Sequence, residues 1–212
     1  MLLKPNTRKL LIKCMSLLIE SIKLLDGKFN NLFYHEQRMR NSLEDLCGVE
    51  DLINLEEFLF NFKVPKEGLY KCRIVYDDLN KEVEFVPYVP KLLNTLKVVE
   101  GNGIDYEYKY KDREEIDELF ALRETCDDIL IIKDELVTDS SFSNIVFKRD
   151  GEWVTPWSAL LRGTMRNSLV ETQTIKEEEI RKEDISSFES FKLINAMLGF
   201  EGPEMSISNI IF

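Results

Sequence analysis

The sequence predicts an α+β protein of two small domains, which we place at residues 15–95 and 96–212. In the first half, two apolar segments flank Asp26-Gly27, a strong hairpin signal, and segments with helical spacing follow. In the second half, short β-rich segments are joined by polar turns such as Arg149-Asp150-Gly151. Gly101-Asn102-Gly103 breaks the chain close to the expected boundary.

The first domain is predicted to contain a hairpin, two helices and a second pair of strands. Met39, Leu43 and Leu46 recur at the spacing of one helix face, whereas residues 69–77 alternate in character as a strand does. In chain order, we predict strands over residues 17–25 and 28–33, helices over 34–46 and 51–62, and strands over 69–77 and 81–87.

The second domain is predicted to be rich in short strands, with a few helices. Ile116, Leu119 and Phe120 mark the apolar face of its first helix. In chain order, we predict a strand over 95–99, a helix over 113–124, strands over 128–133, 136–138, 144–148 and 152–155, helices over 164–171 and 186–190, and a strand over 191–195.

The composition is that of an ordinary globular protein and excludes several functions. The net charge of -11 argues against nucleic acid as a partner, because phosphate contacts require an excess of Lys and Arg. The single histidine, His35, excludes a multi-histidine metal site. Four widely spaced cysteines without a Cys-x-x-Cys motif indicate free thiols in a reducing cytoplasm. No apolar run reaches the roughly 18 to 20 residues of a membrane span.

The first 14 residues are basic, and no acidic residue precedes Glu20. A signal peptide fits poorly, because Lys13 interrupts the apolar run and no small-residue cleavage site follows it. Met15 is an alternative start, which would make residues 1–14 an N-terminal extension.

Lys109 lies in an unusual segment, Tyr-Glu-Tyr-Lys-Tyr-Lys-Asp-Arg, over residues 106–113. If residues 106–110 are extended, Lys109 points away from Tyr108 and Tyr110 and shares a face with Lys111. A lysine that forms a Schiff base needs an inward-facing amine whose pKa is lowered by burial or by nearby positive charge. On composition alone, a solvated, charged strand edge is the better explanation of the segment.

Several motifs in this order resemble the class IV aminotransferases, a family that binds pyridoxal phosphate (PLP). Lys109, Asp112 and Arg113 match the family's Lys-x-x-[Asn/Asp/Ser]-Arg pattern. The segment from Thr138 to Asn144 is similar to its Thr-Glu-x-x-x-x-Asn pattern, with Asp139 in place of the usual Glu.

Three further segments add to the resemblance, which covers roughly residues 17–200. His35-Glu36-Gln37-Arg38-Met39 is similar to a helix start whose Arg binds the cofactor phosphate. Gly163-Thr164-Met165-Arg166 is similar to a turn that holds the same phosphate at a helix N-terminus, where amide groups and the helix dipole favour an anion. Asn195-Ala196-Met197 is similar to a late segment that contacts the phosphate from another side.

The resemblance implies a role for each matching residue. Lys109 would be the catalytic Schiff-base lysine and the proton-shuttling base, with Lys111 as the alternative. Asp139 would keep the pyridine nitrogen protonated, so that PLP can act as an electron sink. Arg73 would bind the substrate carboxylate, His35 would be structural, and no metal is implied. The other implied cofactor-binding residues are Arg38, Asn144, Gly163, Thr164, Met165, Asn195 and Ala196.

The resemblance also implies the D-amino-acid aminotransferase-like fold, with the active site between two small α/β domains, and a homodimer. Within the family we expect an aminodeoxychorismate lyase, which releases pyruvate from 4-amino-4-deoxychorismate and forms 4-aminobenzoate for folate. A transaminase of branched-chain or D-amino acids is the first alternative, and a non-catalytic remnant of the fold is the second. Full-length relatives carry a further glycine-rich loop before the strand that matches residues 18–22, so the substrate stays open.

Overall fold

The computed structural model describes residues 16–50 and 53–212, and the predicted extension over residues 1–14 and the start at Met15 lie outside them. The chain divides into two compact units. The first contains the described residues through Val89 together with Tyr108–Asp112, and the second contains Pro90–Glu107 and Arg113–Phe212. The sequence boundary at 95/96 thus differs from this division in the segment around Lys109.

The first unit is built on a four-stranded antiparallel sheet with the order β2-β1-β3-β4. Asp26 and Gly27 both have positive φ angles, of 47° and 77°, as the predicted two-residue hairpin requires. The predicted strand over 28–33 is wrong beyond Phe29, because Asn31 turns into a left-handed conformation and a helix begins at Leu32. The strands are β1 (Leu18–Leu25), β2 (Lys28–Phe29), β3 (Leu69–Tyr76) and β4 (Lys81–Pro87).

Two helices, α1 (Leu32–Cys47) and α2 (Leu55–Phe60), supply the rest of the first core. The predicted face of α1, with Met39, Leu43 and Leu46, is buried in one cluster with sheet residues such as Ile22 and Ile74. Both predicted helices are confirmed, but α2 is shorter than the predicted 51–62, and residues 51 and 52 lie outside the described residues.

The second unit contains a nine-stranded mixed sheet, with the order β10-β9-β8-β7-β6-β5-β13 and with β11 joining β8 to β12. The strands β5, β6 and β13 run parallel to one another, whereas β6 to β9 follow as antiparallel neighbours. The elements are β5 (Leu96–Glu100), α3 (Glu114–Ala121), β6 (Asp128–Lys133), β7 (Leu136–Ser140), β8 (Asn144–Arg149), β9 (Glu152–Pro156), α4 (Thr164–Glu171), β10 (Lys176–Glu178), β11 (Ser190–Ile194), β12 (Met205–Ser206) and β13 (Ile210–Ile211).

Most of the predicted elements of the second half are confirmed to within a few residues, with one exception. The helix expected over 186–190 is wrong, because a 3₁₀ turn occupies Lys182–Ser187 and β11 already begins at Ser190. The backbone is extended at Phe188, whose ring stacks on Phe147 with centroids 4.8 Å apart. Burial of this ring in the sheet core outweighs the local helical spacing. In the described part of the chain, no helix has the length and apolar character that crossing a membrane requires.

A buried polar cluster ties β1 to α1 in the first unit. Glu20 is completely buried and accepts hydrogen bonds from His35 Nδ1 at 2.6 Å and from Arg38 Nε and Nη2 at 2.8 and 2.5 Å. Burial alone would raise the pKa of Glu20, but Arg38 and His35 outweigh it and lower the pKa from 4.5 to about 2. Glu20 is therefore a buried anion at neutral pH, held by three donors from one helix.

This cluster predicts an acid-sensitive fold. Because the pKa of Glu20 is lowered in the folded state, the cluster stabilises the protein above pH 5 and loses this contribution as the pH falls towards 2. A shift of this size corresponds to about 3 kcal/mol of unfolding free energy. Urea titrations of the wild type at several pH values should show this loss.

Glu20→Gln provides the comparison, because it keeps the shape of the side chain and removes its charge. We expect the variant to be less stable at pH 7, since Arg38 is left without its carboxylate, and to lose less stability than the wild type between pH 5 and pH 2. Parallel pH profiles for the two proteins would contradict this role of Glu20.

Candidate active site

Lys109 lies in a tight turn, so the extended conformation considered for residues 106–110 does not occur around it. The Tyr110 N–H donates to the Tyr108 carbonyl at 2.9 Å, which places Lys109 at the centre of a γ-turn. Tyr108 and Tyr110 pack edge to face and against the first core, with ring centroids 6.1 Å apart. The turn is bound to β1, because the Ile19 N–H donates to the Lys109 carbonyl at 2.9 Å. The segment therefore belongs to the first unit although it is distant from β1 in sequence.

The surroundings of Lys109 and Lys111 differ. Lys109 is half-buried, whereas Lys111 is exposed. Lys109 is close enough to affect the buried His35: burial lowers the pKa of His35, the charges of Arg38 and Lys109 add to this, and Glu20 opposes it. His35 is thus neutral at pH 7 and donates from Nδ1 to the Glu20 carboxylate.

Arg38 lies on α1 and uses one edge of its guanidinium to bind Glu20. Sequence reasoning assigned no function to Glu20. Its role could have been recognised because Glu20 is the one charged residue between Leu17 and Ile22 in a predicted strand. A buried carboxylate in a strand requires a cationic partner.

Arg73 lies on β3, opposite Ser21 of β1 and Glu84 of β4. Its neighbours Cys72 and Ile74 face α1 in the first core, so Arg73 projects from the other face of the sheet. Because Glu20 pairs with Ile74, Arg73 and Glu20 lie on opposite faces. The structure therefore does not bring Arg73 together with Arg38.

The hairpin of β7 and β8 brings together Asp139 and Asn144, which form the cross-strand pair at its loop end. Leu130 and Ile132 are two positions apart on β6, whereas their partners Ser140 and Val137 are three positions apart on β7. This extra residue is a β-bulge, a feature that redirects side chains and often lies beside active sites.

A closed set of hydrogen bonds links Asp139, Asn144 and Leu161. Asn144 Nδ2 donates to Asp139 Oδ1 at 2.7 Å and to the Leu161 carbonyl at 2.8 Å. The Leu161 N–H donates to Asp139 Oδ2 at 3.0 Å. We call this set of three residues the Asp139 ring. It fixes the carboxylate relative to the chain that leads to α4.

Burial raises the pKa of Asp139 from 3.8 to about 6, and the donors from Leu161 and Asn144 and the charge of Arg166 oppose it only in part. Only 5% of the residue is exposed. Its oxygens accept hydrogen bonds from the neutral N–H groups of Asn144 and Leu161. A cationic donor would therefore stabilise the charged form of the Asp139 carboxylate.

Gly163 precedes α4 and lies against Asn144. A Cβ on Gly163 would overlap Asn144 Oδ1 and approach Asn144 Cγ to 3.3 Å, so the position accepts no side chain while Asn144 keeps its place. No side chain caps the start of α4, and its first turn has no acidic residue. Thr164 is buried and Met165 is half-buried in this turn. Uncapped helix starts of this kind favour anions.

Arg166 is a second residue that sequence reasoning left without a role. Its side chain is buried in the first turn of α4, and Nη2 donates to the Pro156 carbonyl at 2.9 Å and to Glu177 at 2.6 Å. It anchors α4 to β9 and β10 and places a positive charge close enough to affect Asp139.

Asn195 and Ala196 follow β11, whose last residue, Ile194, pairs with Asn144. Asn195 Nδ2 donates to Ser143 Oγ at 2.8 Å, and Asn195 Oδ1 accepts from the N–H groups of Met197 and Leu198. The side chain thus holds the turn in shape and ties it to the β7–β8 loop.

The predicted residues therefore form two groups, one in each unit. In the first unit, Arg38 and Lys109 lie with Glu20 and His35. In the second unit, the Asp139 ring, Gly163 and Asn195 lie around the ends of β7, β8 and β11. The first group offers an amine beside a buried ion pair, and the second offers a buried carboxylate beside a helix start that suits an anion.

Comparisons with known proteins show the family of this chain. Residues 115–201 match the family model described as amino-transferase class IV. An uncharacterised protein of Haemophilus influenzae is 36% identical over 184 residues, which are 86% of this chain and 98% of the relative.

Solved structures show the same relationship. A crystal structure from Haemophilus somnus 129pt, of a protein named provisionally as a 4-amino-4-deoxychorismate lyase, superposes with a TM-score of 0.82 at 35% identity. The match covers 88% of this chain and 98% of that one. The PLP-bound form of a hypothetical aminotransferase from Mycobacterium tuberculosis has a TM-score of 0.72 at 17% identity, covering 92% and 81%.

These superpositions confirm the expected D-amino-acid aminotransferase-like fold, which is the fold of the fold-type IV PLP enzymes. The chain is 35–36% identical to relatives that it covers almost completely, and its residues 115–201 match the family model. It therefore belongs to the class IV aminotransferases, a family of PLP-dependent enzymes.

Proposed function

We propose that the protein binds PLP through Lys109 and is an aminodeoxychorismate lyase, releasing pyruvate from 4-amino-4-deoxychorismate to form 4-aminobenzoate. The observation that carries the cofactor part of the proposal is the buried Asp139, whose pKa is raised to about 6 and whose oxygens accept from neutral donors. A protonated pyridine nitrogen is the cationic N–H donor that such a carboxylate favours.

The residues of the second unit fit the other end of the cofactor as well. The start of α4 at Gly163, Thr164 and Met165 would hold the phosphate through backbone N–H groups. Because the Asn195 side chain is engaged with Ser143 and its own turn, we assign it the shaping of the phosphate site, with Ala196 as the backbone contact. Arg38 would add a cation whose orientation Glu20 fixes.

Lys109 would act at its Nζ atom, first as the nucleophile towards the cofactor aldehyde and then as the group that accepts and returns a proton. When bound, PLP supplies an electron sink for charge that develops on the substrate. Lys109 is half-buried and lies close enough to His35 for its charge to affect the pKa of that imidazole. The neutral His35 leaves proton transfer to Lys109.

The similarity to the Haemophilus somnus protein favours the lyase over the transaminases, because it extends over nearly the whole chain at 35% identity. Arg73 lies on the sheet face opposite Glu20, the partner of Arg38, so we do not assign it to the substrate carboxylate. We also propose a homodimer and a cytoplasmic location.

The identity of the reactive lysine can be determined directly. We expect borohydride reduction of the protein with PLP, followed by peptide mapping, to leave the pyridoxyl group on Lys109. Lys109→Ala should lose the visible absorption of the bound cofactor and at least a thousandfold in activity, roughly the combined size of nucleophilic and acid–base catalysis. The matched control, Lys111→Ala, changes an exposed lysine two residues away and should retain both. Labelling of Lys111, or no labelling at all, would reject the assignment, and the latter would favour a non-catalytic remnant.

Asp139 should make the cofactor-free protein less stable as the pH rises from 4 to 8. Because its pKa is raised in the folded state, its ionisation costs folding free energy as the pH rises from 4 to 6 and above. Relative to Asp139→Asn, the cofactor-free wild type should lose roughly 2 to 3 kcal/mol of unfolding free energy between pH 4 and pH 8. Urea titrations of both proteins test this.

The same variant separates stability from function. Asp139→Asn should bind PLP more weakly than the wild type at pH 8, since the amide cannot pair with a protonated ring nitrogen. A pH-independent stability difference between the two proteins would contradict the buried, ionisable state of Asp139.

The reaction itself requires a substrate comparison. We expect the protein with PLP to form 4-aminobenzoate and pyruvate from 4-amino-4-deoxychorismate, detected by fluorescence and by coupled lactate dehydrogenase. In a parallel reaction with 2-oxoglutarate, branched-chain and D-amino acids should give little glutamate. Rapid glutamate formation without 4-aminobenzoate would make the protein a transaminase.

A further inference from the structure

We infer that Asn144 and Gly163 form one positioning device for Asp139, and that Gly163 is a glycine because of Asn144 and not because of the cofactor phosphate. The inference rests on the proposed role of Asp139 at the ring nitrogen. It explains only the missing side chain at Gly163, and the backbone N–H groups at the start of α4 keep their proposed role at the phosphate.

The Asp139 ring holds the carboxylate in place through Asn144 and Leu161. Both N–H groups of Asn144 Nδ2 have acceptors, the Asp139 carboxylate and the Leu161 carbonyl, at 2.7 and 2.8 Å. The Leu161 N–H returns to the other carboxylate oxygen. Asp139 therefore has one orientation, fixed by two donors that also join it to the chain two residues before Gly163.

The space beside Gly163 is occupied by the Asn144 side chain. A side chain at Gly163 would overlap Asn144 Oδ1, and the three atoms nearest to its Cβ position, apart from those of the chain neighbours, all belong to Asn144. Asn144 cannot yield easily, because it is 6% exposed and its amide is engaged on both sides. Gly163 has φ of −64° and ψ of 146°, a conformation open to any residue, so its backbone does not require glycine. Asn144 is thus the reason for the missing side chain.

Asp139 has a short side chain, so its oxygens reach only a little way from the strand. A short side chain needs a correspondingly exact backbone and rotamer, and the bulge in β7 together with the Asn144 and Leu161 donors provides this constraint.

The inference predicts which end of the cofactor each variant affects. We would measure the affinity of the full chain for three probes: PLP, its carbocyclic analogue with CH in place of the ring nitrogen, and pyridoxal, which has no phosphate. The affinity ratio of PLP to the carbocyclic analogue reports the ring-nitrogen contact, and the ratio of PLP to pyridoxal reports the phosphate contact.

In the wild type, one charge-assisted hydrogen bond should favour PLP over the carbocyclic analogue by roughly ten- to a hundredfold. Asn144→Ala and Gly163→Ala should each reduce this ratio roughly tenfold and leave the ratio of PLP to pyridoxal within about twofold. Because both act through one contact, Gly163→Ala should have little further effect in the Asn144→Ala background. The matched control is Gly103→Ala, a glycine of the same unit whose Cβ would meet nothing within 4 Å.

Three outcomes would overturn the inference. A fall in the phosphate ratio alone for Gly163→Ala would return the glycine to the phosphate, and an equal fall in both ratios would indicate general loss of structure. Additive effects in the double variant would separate the two residues. Thermal unfolding monitored by circular dichroism identifies a variant that fails to fold, and the milder Asn144→Ser then replaces Asn144→Ala.

Failure of the underlying proposal has a different signature. If the wild type does not favour PLP over the carbocyclic analogue, or if Asp139→Asn leaves that ratio unchanged, Asp139 does not contact the ring nitrogen and the inference falls with it. If Asp139→Asn abolishes the preference while Asn144→Ala and Gly163→Ala retain it, only the positioning role is rejected.

Discussion

The second unit depends on the burial of one carboxylate. Asp139 is almost inaccessible to solvent, its charge is disfavoured there, and neutral amide groups stabilise it only in part. Its strand carries a bulge, the following strand supplies Asn144, and the chain before α4 supplies the Leu161 amide. Burial therefore makes the charged form of Asp139 unfavourable in this fold.

In the first unit the pKa of the buried carboxylate is lowered and not raised. Glu20 is fully buried, but three donors from α1 surround it and lower its pKa to about 2. The charge of Glu20 is neutralised within this cluster by Arg38, whereas the oxygens of Asp139 accept hydrogen bonds from the neutral N–H groups of Asn144 and Leu161. The contrast explains why Asp139 and not Glu20 carries the functional argument, although both are buried acids on strands.

Lys109 illustrates how a local pattern and a distant contact combine. Sequence reasoning expected the tyrosines on either side to face away from the lysine, and both do join the first core. They do so through a γ-turn held by Ile19, and not through an extended strand. Nothing in residues 106–110 specifies that turn, because its stability comes from a strand some ninety residues earlier.

The sequence by itself determined the α+β class, the positions of most helices and strands and the family motifs, because periodicity, turn residues and short motifs are local properties of the chain. It misplaced the strand after Phe29 and the helix before Ser190, where a left-handed asparagine and the burial of Phe188 override local spacing. Only the tertiary structure decided that Glu20 partners Arg38, that Arg73 lies on the other sheet face, and that Gly163 makes room for Asn144. Each of these is a contact between residues far apart in the chain, and its energy exists only once the strands have paired.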